Sequence, residues 1–116
     1  MTKPNSYIRF LNFVDILNSK SGTRKLDSIE NSLLNSIMIG DHAGRLIFVG
    51  DLLRLKSFGS QATLHGRIKN LHSLGYISLI TQDDARKKRV VPTKLSYKRV
   101  ESLSSCLERA LKWSNE

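Results

Sequence analysis

Apolar residues recur at helical spacing from the start of the chain, and the first predicted helix spans residues 5–20. Its main apolar stripe consists of Ile8, Leu11, Val14 or Ile16, and Leu17, and a second, aromatic stripe consists of Tyr7, Phe10 and Phe13. A helix on the surface of a monomer needs only one apolar stripe. The excess is therefore expected either to be buried against a second chain or to wrap the core of its own domain.

The next segments predict a helix, a brief strand and a short helix. The helix runs from Asp27 or Ser28, whose short oxygen side chains suit an N-cap, to Gly40. Its expected buried stripe is Ile29, Leu33, Leu34, Ile37 and Met38. The β-branched and aromatic composition of 45–49 predicts the strand, and 51–56 predicts the short helix before a tight turn.

The most regular pattern predicts a longer helix over 61–73, capped by Ser60 and ended by Gly75. One buried face is defined by positions i, i+4 and i+7, which are Leu64, Ile68 and Leu71. This helix is the best-defined element of the sequence.

A hairpin and a final helix are predicted after it. Composition indicates a strand over 76–81, a polar turn over 82–85 and a return strand around Val90 and Val91, with Pro92 suited to a sheet edge. The final helix is expected from Leu95 or Ser96 to Trp113. Its expected buried stripe is Val100, Leu103, Leu107 and Ala110 or Leu111, with Cys106 as a small apolar neighbour.

This order of elements predicts a mainly α fold with a small β-hairpin (α+β). A short helix, a turn and a second helix form a helix-turn-helix unit, and the hairpin that follows makes it a winged helix. The winged-helix core is expected over 28–93, with helices over 5–20 and 95–113 that are expected to pair in a homodimer. In such units the second helix, here 60–73, enters the DNA major groove.

Charge strengthens the expectation of an anionic partner. The 116 residues, enough for a single domain, carry a formal net charge of +9. Residues 44–99 hold twelve of the nineteen basic side chains and three of the ten acidic ones, so the net charge lies in the middle of the chain. The sequence has no apolar run long enough for a membrane span, and its N-terminal segment, broken by Arg9, Asn12 and Asp15, is not typical of a signal peptide. A cytoplasmic, nucleoid-associated protein is expected.

Two motifs carry a family resemblance. The first is Ser60-Gln61-Ala62-Thr63-Leu64 with Ile68, Leu71 and Leu74-Gly75-Tyr76-Ile77, and the second is the run from Asp84 to Thr93. Over about residues 28–100 the chain resembles MarR-type winged helix-turn-helix transcriptional regulators. The resemblance implies a basic wing over 82–91, with Arg86 as the wing arginine and Asp84 as its orienting partner. Gly66 stands where that family often has a larger, basic residue.

Three groups of residues are candidates for DNA contact. Base edges are expected to meet the outer face of the longer helix, at Gln61, Thr63, His65 and Lys69. Phosphates are expected at Ser60, Arg54, Lys56 and Arg67. The wing supplies four consecutive cations, Arg86, Lys87, Lys88 and Arg89, for the minor groove or the backbone.

Catalytic and metal chemistry have little support. His42, His65 and His72 lack a ligating partner at helical spacing, and no phosphate loop, dinucleotide fingerprint or nucleophile elbow is present. No enzyme activity, metal or cofactor is therefore expected. The sequence favours a sequence-specific regulator of transcription that binds double-stranded DNA, in the simplest case a dimeric repressor; it identifies no effector. The alternatives are a DNA-binding accessory protein of replication, partition or phage, and a winged helix that binds an acidic protein.

Overall fold

The computed structural model describes residues 5–83 and 86–112. Within them the chain forms five helices and one two-stranded antiparallel sheet, in the mainly helical α+β arrangement that the sequence predicts. The elements are α1 (Ser6–Ser21), α2 (Ser28–His42), α3 (Val49–Leu53), α4 (Gln61–Ser73), β1 (Ile77–Thr81), β2 (Lys88–Pro92) and α5 (Lys94–Leu111). They fall into two compact units: a central unit, Leu26–Tyr97, and a terminal unit that includes residues 5–25 and 98–112.

The core of the central unit is built on α2 and α4. The stripe predicted for α4, Leu64, Ile68 and Leu71, is buried as expected. On α2, Leu33, Leu34 and Ile37 are buried, whereas Ile29 and Met38 are half-buried and pack against the core. Leu26, Leu52, Tyr76, Ile77 and Val90 complete the buried cluster. Burying each such aliphatic side chain stabilises the fold by roughly 1.5–3 kcal/mol relative to leaving it in water, so these contacts fix how α4 sits on α2.

Local signals set the ends of α4 and of the hairpin. The Ser60 side chain caps α4 by accepting the backbone N–H of Thr63 at 3.2 Å. Beyond the helix Gly75 adopts a φ of 88°, a backbone angle that residues with a Cβ rarely adopt. The chain then enters β1, which pairs with β2 in a register that sets Ile77 opposite Pro92 and Thr81 opposite Lys88.

The predictions for 45–56 were wrong in two respects. No strand forms over 45–49; a single bridge joins Phe48 to Arg89. Helix α3 begins at Val49, two residues before the predicted start, and ends at Leu53. The cause is local: the Asp51 side chain accepts the backbone N–H of Phe48 at 2.9 Å, which starts a helix where the composition favoured a strand.

Helix α5 is anchored to the end of α4 by hydroxyl groups. Thr93 donates a hydrogen bond to the Gly75 carbonyl at 2.5 Å, and the buried Ser96 donates to the Tyr76 carbonyl at 2.6 Å. Tyr97 donates its hydroxyl proton to the Asp41 carboxylate near the end of α2. The first turn of α5 is thus held by both α2 and the α4–β1 connection.

The Tyr97–Asp41 bond predicts a measurable shift. The hydrogen bond to Asp41, with smaller effects of burial and of the Asp41 charge, raises the pKa of Tyr97 above its ordinary 10.0. Because the folded-state pKa exceeds the unfolded one, the stabilisation is complete below about pH 10 and is lost as pH rises through the folded value. Absorbance titration of tyrosinate should show a component that titrates at higher pH than an ordinary tyrosine. Tyr97→Phe should remove this component, and Asp41→Asn should move it to lower pH. A Tyr97 that titrates at its ordinary value would contradict the bond.

In the terminal unit, the burial of the apolar side chains of α1 does not follow the two predicted stripes. None of its residues is fully buried, and the half-buried apolar ones are Phe10, Phe13, Val14 and Leu17. The outer apolar residues Tyr7, Ile8, Leu11 and Ile16 are exposed, Tyr7 to 66%. The Arg109 guanidinium lies over the Phe13 ring, 4.2 Å from its centroid, and Arg9 donates to the carbonyls of Arg109 and Ala110. Arg9 thereby binds carbonyls at the C-terminal end of α5, where a helix attracts cations.

The stripe predicted for α5 was also partly wrong. Ala110 and Cys106 are buried and Leu103 is half-buried, whereas Val100, Leu107 and Leu111 are exposed. The buried side is therefore displaced around the helix, away from Leu107 and toward the small Cys106. Trp113 lies outside the described residues, as does Asp84 of the hairpin turn. No helix in the described part of the chain is long and apolar enough to cross a membrane.

Candidate nucleic-acid interface

A basic groove lies in the central unit between α3, α4 and the β1–β2 hairpin. Its volume is about 480 Å³. Its lining includes Phe48, Val49, Gly50 and Leu53, and its cationic side chains are Arg54, Arg86, Lys87 and Lys88. His65 reaches it from α4. The fold thus gathers cations from two distant stretches of sequence around one surface depression, which we call the basic groove.

The electrostatics of the basic groove are strongly one-sided. Among the described residues that line it, Asp51 is the one acid. Its carboxylate accepts the Phe48 N–H at 2.9 Å and lies 3.3 Å from the Arg54 guanidinium. Because Arg54 is 78% exposed, this pair is worth little in water, and the arginine can turn to another anion at small cost. A cleft lined by one sign of charge concentrates its field and attracts anionic ligands.

The outer face of α4 adjoins this groove and is accessible. Gln61, His65 and Lys69, three of the predicted base-reading residues, are exposed. Apart from the chain neighbours of Gly66 and the backbone of α4 itself, no heavy atom of the described residues lies within 4 Å of the position that a Cβ on Gly66 would take, so the middle of this face is open. Of the three exposed residues His65 lines the basic groove; Gln61 and Lys69 do not.

The fourth base-reading candidate, Thr63, takes part in the cap of α4. Its hydroxyl accepts a hydrogen bond from the Ser60 hydroxyl at 3.0 Å, and its side chain is half-buried. Ser60, predicted to meet a phosphate, is the N-cap of the helix. Both side chains therefore already serve the start of α4.

The remaining phosphate candidates have different surroundings. Arg54 lines the basic groove, whereas the exposed Lys56 lies in the turn after α3 and does not. Arg67 donates its Nε–H to Asp27 at 2.7 Å and is about one-third exposed. The structure thus brings Arg54 to the groove and engages Arg67 with a carboxylate of the protein.

The predicted wing cations are also divided. Arg86 and Lys87 lie in the loop, but Lys88 and Arg89 belong to β2, so the run extends from the turn into the strand. Arg86, Lys87 and Lys88 line the basic groove. Arg89 is half-buried, pairs with Ile80 in the sheet and bridges to Phe48. The backbone of Arg89 therefore has a structural role in the sheet, and Arg89 is not among the described residues that line the groove.

The sequence reading missed a polar network that joins α2 to α4. Its members are Asp27, Glu30, Arg67 and Asn70, and Glu30 is only 1% exposed. The available signal was the spacing Asp27-x-x-Glu30, because an acidic or amide residue three positions after an N-cap is typical of a capping box. The box is present, with each side chain accepting the other's backbone N–H.

What the site can do chemically is bind an anion. No group of histidine, cysteine, aspartate and glutamate side chains within 5–83 and 86–112 is arranged to hold a metal ion. The cations of the basic groove are arginine and lysine, which bind phosphates through charge and hydrogen bonds. Comparison of the chain with protein-family models, curated proteins and solved structures gives no match.

Proposed function

We propose that the chain is a regulator of transcription that binds double-stranded DNA by sequence, as a dimeric repressor of the MarR-type winged-helix kind. Helix α4 is the recognition helix in the major groove, and the β1–β2 hairpin is the wing on the adjacent minor groove or backbone. The observation that carries the proposal is the basic groove: it sets Arg54 and three hairpin cations beside the open outer face of α4.

The side chains of the groove and of α4 differ in the parts of DNA that they can bind. Arg86, Lys87, Lys88 and Arg54 supply charge, which binds phosphates of any sequence. Gln61, His65 and Lys69 are exposed and present donors and acceptors suited to base edges in the major groove. Affinity therefore comes mainly from the groove and selectivity mainly from α4.

A homodimer completes the proposal. One module of this size makes few base contacts, and two joined modules reach successive major grooves about 34 Å apart. The exposed apolar residues on α1 and α5 supply a surface for a second copy. Bound across a promoter, such a dimer excludes the transcription machinery, which is the simplest form of repression.

The test is a titration of fluorescent duplexes at two salt concentrations. A preferred duplex is first selected with the full chain from a random-sequence pool, and a shuffled duplex of the same composition serves as control. We expect the preferred duplex to bind roughly 10³-fold tighter or better, as specific regulators do. We also expect the affinity of both duplexes to fall steeply with salt, because phosphate contacts release counterions.

Other outcomes point to the alternatives. Equal, weak binding of both duplexes would refute sequence-specific regulation. Tight binding of polyglutamate with weak binding of either duplex would favour the winged helix that recognises an acidic protein. Two hypotheses then remain, and the places where the selected sequence occurs in the source genome distinguish them. A palindrome beside a promoter supports a regulator, and a repeated array at a replication origin supports an accessory protein.

A further inference from the structure

Two matched pairs of polar side chains connect the start of α2 to the middle of α4. Asp27 accepts the Nε–H of Arg67 at 2.7 Å, and Glu30 accepts an amide proton of Asn70 at 2.9 Å. In each pair the partners are 40 residues apart in sequence. The pairs are therefore in register: three residues along α2 correspond to three along α4, about one helical turn on each.

The carboxylates in these pairs are firmly held. Glu30 is 1% exposed, and its second oxygen accepts the backbone N–H of Asp27 at 2.9 Å. The second oxygen of Asp27 accepts the backbone N–H of Glu30 at 2.8 Å. A buried carboxylate is tolerated only when such bonds replace its water. Sliding α4 by one turn would break both cross-links and leave Glu30 without its Asn70 partner.

The cross-links also oppose rotation of α4 about its axis. At 100° per residue, Arg67 and Asn70 lie on one flank of α4, and His65 and Lys69 lie about 100° or more around the axis from both. A rotation of about 20° moves a side-chain tip at a radius of roughly 5 Å through about 2 Å. Such a displacement exceeds the tolerance of a hydrogen bond to a base edge. The setting of α4 therefore decides which base edges its outer face meets.

We infer that Asp27, Glu30, Arg67 and Asn70 are positioning residues that set α4 for sequence-selective contact with DNA. The inference rests on the proposed function. It gives Arg67 a different role from the phosphate contact expected from sequence, because Arg67 acts through Asp27 on the orientation of the helix.

Two single variants distinguish positioning of α4 by Arg67 from contact of Arg67 with a phosphate, because the two roles predict different changes in DNA affinity. Asp27→Asn keeps a good N-cap oxygen and removes the charge that holds Arg67. Arg67→Ala removes the other partner, and the double variant removes both. Glu101→Gln and Lys20→Ala, at exposed positions outside the central unit, are the matched controls for losing one acid or one cation. Each is titrated with the preferred and shuffled duplexes at several salt concentrations.

If the network positions α4, Asp27→Asn and Arg67→Ala each lower the ratio of preferred to shuffled affinity by about fivefold or more, beyond the effect of their controls. The double variant has a ratio no lower than that of either single variant. The salt slope, which is the slope of log affinity against log salt concentration, keeps its wild-type value. If Arg67 instead contacts a phosphate, Arg67→Ala weakens both duplexes alike and lowers the salt slope by about one. Asp27→Asn then strengthens both. Those results would overturn the inference. Partial unfolding of a variant does not imitate positioning, because it lowers both affinities without changing their ratio.

A measurement without DNA separates this inference from the proposed function. Hydrogen exchange of the α4 amides is expected to accelerate severalfold in Asp27→Asn and Arg67→Ala, with the amides of the terminal unit unchanged. If wild type shows no duplex preference but α4 loses protection, the proposed function fails and the positioning network stands as a structural one. If α4 protection is unchanged in both variants, the positioning role fails whatever the chain binds.

Discussion

Replacing Arg86, Lys87 and Lys88 together by alanine is expected to weaken duplex binding roughly 100-fold or more at physiological salt. All three side chains line the basic groove beside α4, so their loss removes three of the four cations among its described lining residues and leaves Arg54. Each lost phosphate contact should lower the salt slope by about one, and a change of about three is the upper limit. The shuffled and preferred duplexes should both lose affinity, because phosphate contacts carry no sequence information. The measurement is the duplex titration at several salt concentrations.

The matched control removes an equal charge from elsewhere. Lys20, Lys98 and Lys112 are exposed and lie in the terminal unit. If the basic groove binds the backbone, alanine at these three positions weakens binding only through the change in net charge and leaves most of the salt slope. Equal losses for the two triple variants would mean that total charge, with no localised site, attracts DNA.

The parts of this fold that follow from sequence are those with local causes. Helix α4 has a capping serine, three leucine and isoleucine residues at helical spacing and a glycine after its end, and its predicted bounds and buried face are confirmed. The Phe48–Asp51 cap is equally local, but the β-branched composition before it outweighed the signal, so a strand was predicted where α3 begins. The error came from competing local preferences.

Other features depend on partners that periodicity does not identify. Helix α1 carries apolar residues on several faces, and spacing alone does not say that Phe10 and Leu17 are more buried than Ile8 and Leu11. The Asp27–Arg67 and Glu30–Asn70 pairs join residues 40 positions apart, which no single-helix pattern specifies. In the same way, the groove lining includes Arg54, the C-cap of α3, and not Lys56, which lies in the turn that follows.

The double substitution Ile8→Glu/Leu11→Glu is expected to convert the proposed dimer into a monomer. Both side chains are exposed apolar groups on α1, 45% and 39% accessible, so glutamate disturbs little within one chain. In a dimer that covers them, it would place two carboxylates from each chain in an apolar interface, which is strongly unfavourable. Light scattering after size-exclusion chromatography gives the molecular mass. Affinity for a palindromic duplex should fall by about 10²–10⁴, since the second module no longer binds at high effective concentration.

The informative comparison is with Ser21→Glu/Thr23→Glu, which adds the same charge to exposed polar positions at the last residue of α1 and in the connector after it, away from the face that carries Ile8 and Leu11. This control should remain dimeric and retain most of its affinity for the palindrome. Affinity for a duplex with a single half-site should be similar in both double variants, because that complex needs only one central unit. A wild-type monomer would refute the dimer, and an Ile8→Glu/Leu11→Glu protein that stays dimeric would exclude this face of α1 from the interface. Loss of palindrome affinity without loss of half-site affinity would show that α1 acts through pairing, and that the groove and α4 bind DNA independently of it.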